Sequence, residues 1–116
     1  MIYLNGRFMP IEEAMVPVLD RGFIFGDGVY EVIPVYSRLP FRLTEHLCRL
    51  QNSLDAIGLI SPYDTAKWID LLTALIAQNA GDDQYLYVHI TRGVAKRDHA
   101  FPSRSEEHTS ESSHRP

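Results

Sequence analysis

Asp20-Arg-Gly-Phe-Ile-Phe-Gly-Asp-Gly-Val-Tyr-Glu31 is the stretch from which the fold can be read, with glycines at 22, 26 and 28 breaking an aromatic run. Glycine is required where the backbone takes positive φ or another group comes close. The segment therefore reads as a tight, partly buried connection that delivers Tyr30 and Glu31 onto a strand. An ordinary loop entering a hairpin would read the same way. The spacing is not Gly-x-Gly-x-x-Gly and no strand-helix unit surrounds it, which excludes a dinucleotide fingerprint.

Working outward, Val29, Glu31, Ile33 and Val35 alternate with Tyr30, Val32, Pro34 and Tyr36, the period of two that marks a strand. Pro34 has no amide donor, so an edge or a bulge is expected there. Ser37-Arg-Leu-Pro40 turns the chain back into a short strand through Phe41. Upstream, Asn5-Gly6 between short apolar runs predicts an opening β-hairpin. Downstream, Leu43, Leu47, Leu50, Leu54 and Ile57 recur at helical spacing, with Thr44 as the expected N-cap and Gly58 as the stop. A second helix is expected from a Ser61 cap, with Pro62 in its first position, Asp64 in its first turn and a stripe of Trp68, Ile69, Leu72 and Ile76. It ends near Asn79 to Gly81. Tyr85 to Arg92 alternates again as a strand. Together these elements predict an α+β fold, an antiparallel sheet with two helices packed on one face.

A chain of 116 residues, 45% apolar and with a net charge of -4, fits one soluble globular domain. Its acidic balance, with no cluster of Lys and Arg, argues against nucleic-acid binding. Cys48 is the one cysteine, so no intrachain disulfide can form and a reducing compartment is the default. The amino terminus lacks the regions of a signal peptide, and Leu71 to Ala77 is too short to span a bilayer, which makes a cytoplasmic location the plain expectation.

Three places could carry chemistry. Arg49 flanks the apolar stripe of the first helix within a turn of His46, where its guanidinium could present a planar fork to a phosphate or carboxylate. A solvated arginine with its stem lying on the core edge is the plainer reading of that position alone. Glu45, His46 and Cys48 point in different directions on a helix and no second cluster completes a shell, which disfavours a metal. Arg97 and His99 stand two apart in the loop after the last strand, so an extended chain would aim both the same way and could clamp a carboxylate, although in isolation an exposed polar loop is the plainer reading.

From Ser103 to Pro116 the composition changes: no apolar residue and no periodicity remain. A disordered tail reads this way. Arg104-Ser-Glu-Glu-His-Thr-Ser-Glu111 also resembles the translation of a sequencing-library adapter. Residues 103–116 are therefore expected to be a non-native tail, with the authentic chain of 1–102 being the front of a longer protein.

Asp20 to Glu31, then Phe41-Arg-Leu-Thr-Glu-His-Leu-Cys-Arg-Leu50, then Thr91-Arg-Gly93 with Arg97-Asp-His-Ala-Phe-Pro102 occur in an order and spacing that resemble the class IV (fold-type IV) pyridoxal-phosphate aminotransferases. Within that family the match is to the small amino-terminal domain of D-amino-acid transaminases, over residues 1 to 102. The resemblance implies pyridoxal 5'-phosphate as cofactor, its phosphate bound by Arg49, and Tyr30 on the substrate side. It further implies that Arg97 and His99 hold the substrate carboxylate across a homodimer interface, with D-alanine and 2-oxoglutarate as the expected substrates. The family's Schiff-base lysine belongs to a larger carboxy-terminal domain, and neither Lys67 nor Lys96 matches it, so no catalytic residue is expected within this chain. Branched-chain aminotransferases and aminodeoxychorismate lyases share parts of the pattern. Tyr30 and the Arg97-Asp-His99 clamp favour the D-amino-acid group. A non-catalytic, stand-alone binding domain is the alternative of a different class.

Overall fold

The computed structural model describes residues 1–94, together with the backbone of 110–114. Ile2–Leu4 (β1) and Arg7–Met9 (β2) form the expected hairpin, turned by Asn5 and Gly6, both at positive φ. After a short 3₁₀ turn at Ile11–Glu13 comes a helix of five residues, Arg21–Phe25 (α1), not foreseen from the sequence. Asp20 caps it by accepting from the Gly22 amide, and Gly26 ends it at φ 66°, a conformation that a side chain would strain.

The main sheet has the order β4-β3-β5-β6, with β3 at Gly28–Tyr36, β4 at Leu39–Pro40, β5 at Gln84–Thr91 and β6 at Ser110–His114. The β3–β5 register runs without a bulge from Gly28↔Thr91 to Val35↔Gln84. Gly28 permits that register: a Cβ there would lie 2.6 Å from the Ile90 carbonyl oxygen. Pro34 keeps its expected edge character, because β4 pairs only with Val35 and Tyr36, and the Pro34 oxygen accepts from the Phe41 amide just past them. The turn between β3 and β4 places Ser37 and Arg38 at positive φ. Arg38 holds it by donating to the carbonyl of Ile76, in the last turn of the second long helix, and to those of Asn79 and Gly81 just beyond it.

The long helices are Leu43–Ala56 (α2) and Thr65–Ala77 (α3). Thr44 does not cap α2: the cap position falls on Arg42, in the left-handed region at φ 53°, whose side chain makes no capping bond. Nor does Ser61 cap α3. Asp64 does, accepting from the Lys67 amide at 2.8 Å, while Ser61 Oγ donates to the Tyr63 carbonyl and accepts from the Trp68 indole. Helix–sheet packing chose the entry points over the local capping preferences.

Both helices cover one sheet face, as expected. Ile33 and Val35 of β3 and Leu86, Val88 and Ile90 of β5 meet Leu47, Leu50 and Leu54 of α2 and Trp68, Leu71, Leu72, Leu75 and Ile76 of α3. Removing these side chains from water is the chief favourable term in forming the layer. On the other face Tyr30, Val32, Tyr36 and Tyr85 remain exposed. At 110–114 the backbone pairs with β5 from His89↔Ser110 to Tyr85↔His114. A strand edge offers N–H and C=O groups to any extended segment, whatever its side chains. Among the described residues no helix is long and apolar enough to cross a membrane.

Candidate functional site

Along β3 the inward positions are Glu31, Ile33 and Val35, so alternation buries a carboxylate beside two aliphatic side chains. An isolated buried carboxylate is costly and requires partners. α2 supplies them. Arg49 Nε lies 3.0 and 3.1 Å from the two Glu31 oxygens, and Arg49 Nη2 donates to Oε1 at 2.8 Å. His46 Nδ1 lies 2.8 Å from the same Oε1. An ionised carboxylate only accepts, so Nδ1 carries the proton. Burial alone would raise the Glu31 pKa, but hydrogen bonds and charge from Arg49 and His46 outweigh it and hold the group below its ordinary value of 4.5. The hydrogen bonds and charge of Glu31 in turn raise the pKa of Arg49.

The two ends of this pair differ in exposure: 5% for the Glu31 side chain and 67% for Arg49. Nε and Nη2 are committed to Glu31, while Nη1 has no hydrogen-bond partner among the described residues. Arg42, Glu45, His46 and Arg49 line an open cleft of about 260 Å³ here. A planar cation fixed from below and open above is suited to an anion with several oxygens, such as a phosphate. The residues present thus fit the phosphate end of a phosphorylated cofactor.

Tyr30 is not brought to this cleft. Strand alternation sends it to the opposite face of the sheet, where it is 62% exposed and stacked on Tyr87 with ring centroids 5.8 Å apart. Tyr87 Oη in turn lies 3.4 Å from His89 Nδ1. Burial, and then the neighbouring Tyr30, push the Tyr87 pKa up, whereas burial pushes that of His89 down against the pull of Asp20. Arg97 and His99, and with them Lys96, lie outside the described residues. Lys67 sits in the first turn of α3, where its amide serves the Asp64 cap.

Sequence reasoning missed Glu31 as the partner of Arg49. Its signal was present: a charged residue at an inward position of a strand must meet a counter-charge. A second network explains the Gly-Asp-Gly and Thr-Arg-Gly segments. Asp27 accepts from Arg21 Nε at 2.9 Å and from Arg92 Nε at 3.0 Å. The Arg92 amide donates to the Asp27 carbonyl, and its Nη2 reaches the Ile57 carbonyl. Asp20 joins the same region by accepting from Thr91 Oγ1 at 3.1 Å. Gly22 gives the clasp room, since a Cβ there would fall 2.3 Å from the Thr91 methyl. Asp20, Arg21, Asp27 and Arg92 are all buried or nearly so, and they lock α1 and the start of β3 onto the end of β5.

These features define a layered α+β domain carrying an anion-directed arginine on its first long helix. The model of the amino-transferase class IV family matches residues 28–114, and the chain belongs to that family. It is 43% identical over 102 residues to the D-alanine aminotransferase of Staphylococcus aureus (strain MSSA476), covering 88% of this chain and 36% of that relative. It therefore spans little more than a third of the relative's length. Among solved structures, a branched-chain aminotransferase from the archaeon Thermoproteus uzoniensis superposes with a TM-score of 0.79 at 28% identity, over 95% of this chain and 38% of that one. The 4-amino-4-deoxychorismate lyase of Pseudomonas aeruginosa gives a TM-score of 0.76 at 30% identity, over 100% of this chain and 39% of that one.

Proposed function

We propose that this chain is the small amino-terminal domain of a pyridoxal-phosphate-dependent D-amino-acid transaminase. The intact enzyme would move the amino group of D-alanine to 2-oxoglutarate, leaving pyruvate and D-glutamate. The observation that carries the reading is the Arg49 guanidinium, held by a buried carboxylate and open to an anion, in a chain 43% identical to a D-alanine aminotransferase. Arg49 binds the cofactor phosphate, and Tyr30 faces the substrate from the uncovered side of the sheet. Arg97 and His99 hold the substrate carboxylate in the partner's site of a cytoplasmic homodimer. When bound, the cofactor supplies the electron sink that lets the substrate lose its α-proton. The lysine that exchanges that proton is contributed from outside this chain. Residues 103–116 are a foreign tail, which resequencing of the gene past residue 102 tests directly.

Dialysis against pyridoxal 5'-phosphate tests the anchor. In the intact enzyme Arg49→Ala is expected to lose cofactor affinity by about tenfold or more, because a charge-assisted contact to a dianion is removed. Unchanged retention removes Arg49 from the site. Arg97→Ala and His99→Ala are expected to lower kcat/KM for D-alanine while leaving cofactor absorbance unaltered. The likeness to 4-amino-4-deoxychorismate lyase carries a second reading, a lyase in place of a transaminase. Pyruvate release from D-alanine that depends strictly on added 2-oxoglutarate supports the transaminase over the lyase. Borohydride reduction of the 116-residue chain with pyridoxal 5'-phosphate is expected to leave no stoichiometrically labelled lysine.

A further inference from the structure

We infer that Glu31, backed by His46, is a positioning residue for anion capture: it fixes the Arg49 guanidinium through Nε and Nη2 so that Nη1 is presented to an incoming phosphate. The inference rests on the phosphate-binding reading of Arg49. A free arginine on a helix surface samples many rotamers, and ordering such a side chain on binding weakens affinity by about twofold to tenfold. Here the order exists beforehand. Glu31 is 5% exposed on a strand in the middle of the sheet, so it cannot follow Arg49 outward; the guanidinium must come to it. Its Oε1 receives both Arg49 Nη2 and His46 Nδ1 at 2.8 Å, and its Oε2 receives Arg49 Nε at 3.0 Å. His46 is 16% exposed, one helical turn from Arg49, and limits rotation of the carboxylate about its own axis.

A carboxylate beside a phosphate site has two opposed effects, and they differ in sign on mutation. If Glu31 were only a neighbouring negative charge, its neutralisation would tighten phosphate binding by removing repulsion. If it positions Arg49, neutralisation weakens binding even though a negative charge has gone. Glu31→Gln keeps the shape and one acceptor oxygen but cannot hold the fork, whereas Glu31→Asp keeps the charge on a shorter arm. Either variant changes a buried side chain, so the unaltered chain supplies an independent measurement. The Nε–Hε group of Arg49, assigned by its disappearance in Arg49→Lys, reports on the contact through proton exchange with water. Arg7, exposed and without a hydrogen-bond partner among the described residues, serves as the internal reference.

The experiment follows the Arg49 Nε–Hε resonance of the full 116-residue chain during titration with inorganic phosphate and with pyridoxal 5'-phosphate. The expected result is exchange at Arg49 about tenfold or more slower than at Arg7, as befits a charge-assisted hydrogen bond. Glu31→Gln is expected to abolish that protection and to weaken binding of both probes between about twofold and tenfold. Glu31→Asp is expected to recover part of both. Exchange at Arg49 as fast as at Arg7 in the unaltered chain overturns the proposal without any variant, and so does tighter or unchanged phosphate binding in Glu31→Gln. A protected Arg49 that shifts with neither probe separates the cases: the contact with Glu31 stands, but the phosphate reading, and with it the positioning role, fails.

Discussion

Asp27 and Glu31 are carboxylates four residues apart on the same stretch of chain, both paired with arginine, and they do opposite things. Asp27 is enclosed by Arg21 and Arg92, each 5% exposed, so both cations of this cluster are spent inside the fold. Glu31 is just as buried, but its partner Arg49 is 67% exposed and keeps a donor in reserve. An ion pair consumed on both sides holds structure, while one consumed on a single side offers a charge to something else. The chemical groups are identical; burial of the cation separates the roles.

The comparison breaks most readily at Asp27. Asp27→Asn keeps the shape but leaves Arg21 and Arg92 buried with too little negative charge, and breaking such a pair costs about 3–5 kcal/mol. A urea melt followed by circular dichroism is expected to show a large drop in midpoint or an unfolded chain; an unchanged midpoint would make the clasp incidental. Arg49→Ala should lower the midpoint clearly less, because the exposed guanidinium keeps most of its hydration in the fold and His46 still serves Glu31. A loss as large as that of Asp27→Asn would place Arg49 among the structural arginines.

Acid stability sharpens the contrast. Glu31 has a folded pKa below 4.5, so the unfolded chain binds more protons between the two values. Its contribution is present above pH 4.5 and is lost as pH falls through the folded value. In Arg49→Ala that acid limb is expected to become shallower, as measured by melts at stepped pH. The smallest effect belongs to the uncovered sheet face. Burial lowers the pKa of His89 below 6.5, so stability there also rises with pH and is lost as pH falls from 6.5 through the folded value. His89→Gln should flatten only that segment, and a curve identical to the parent's would show that burial at this position is too slight to matter.

The two long helices, the hairpin at Asn5-Gly6 and the strands from 28 and 84 were legible because apolar periodicity reports directly which face is buried. The caps were not: Thr44 and Ser61 have the right chemistry, but Arg42 and Asp64 occupy the cap positions because the helices start where they dock. Arg49 could be singled out from its place beside the α2 stripe. Its partner could not be named, since Glu31 is distant in sequence and meets it only when α2 lies across β3.

By itself the sequence determined the α+β class, the single layer of helices and the family, through periodicity and motif order that need no coordinates. Only the tertiary structure decided which arginines are structural and which is available. It buries Asp27 between Arg21 and Arg92, turns Glu31 under Arg49, and sends Tyr30 to the other face. The physical reason is that a charge's role depends on its desolvation and on the distance to its counter-charge, and both are set by elements that are remote along the chain.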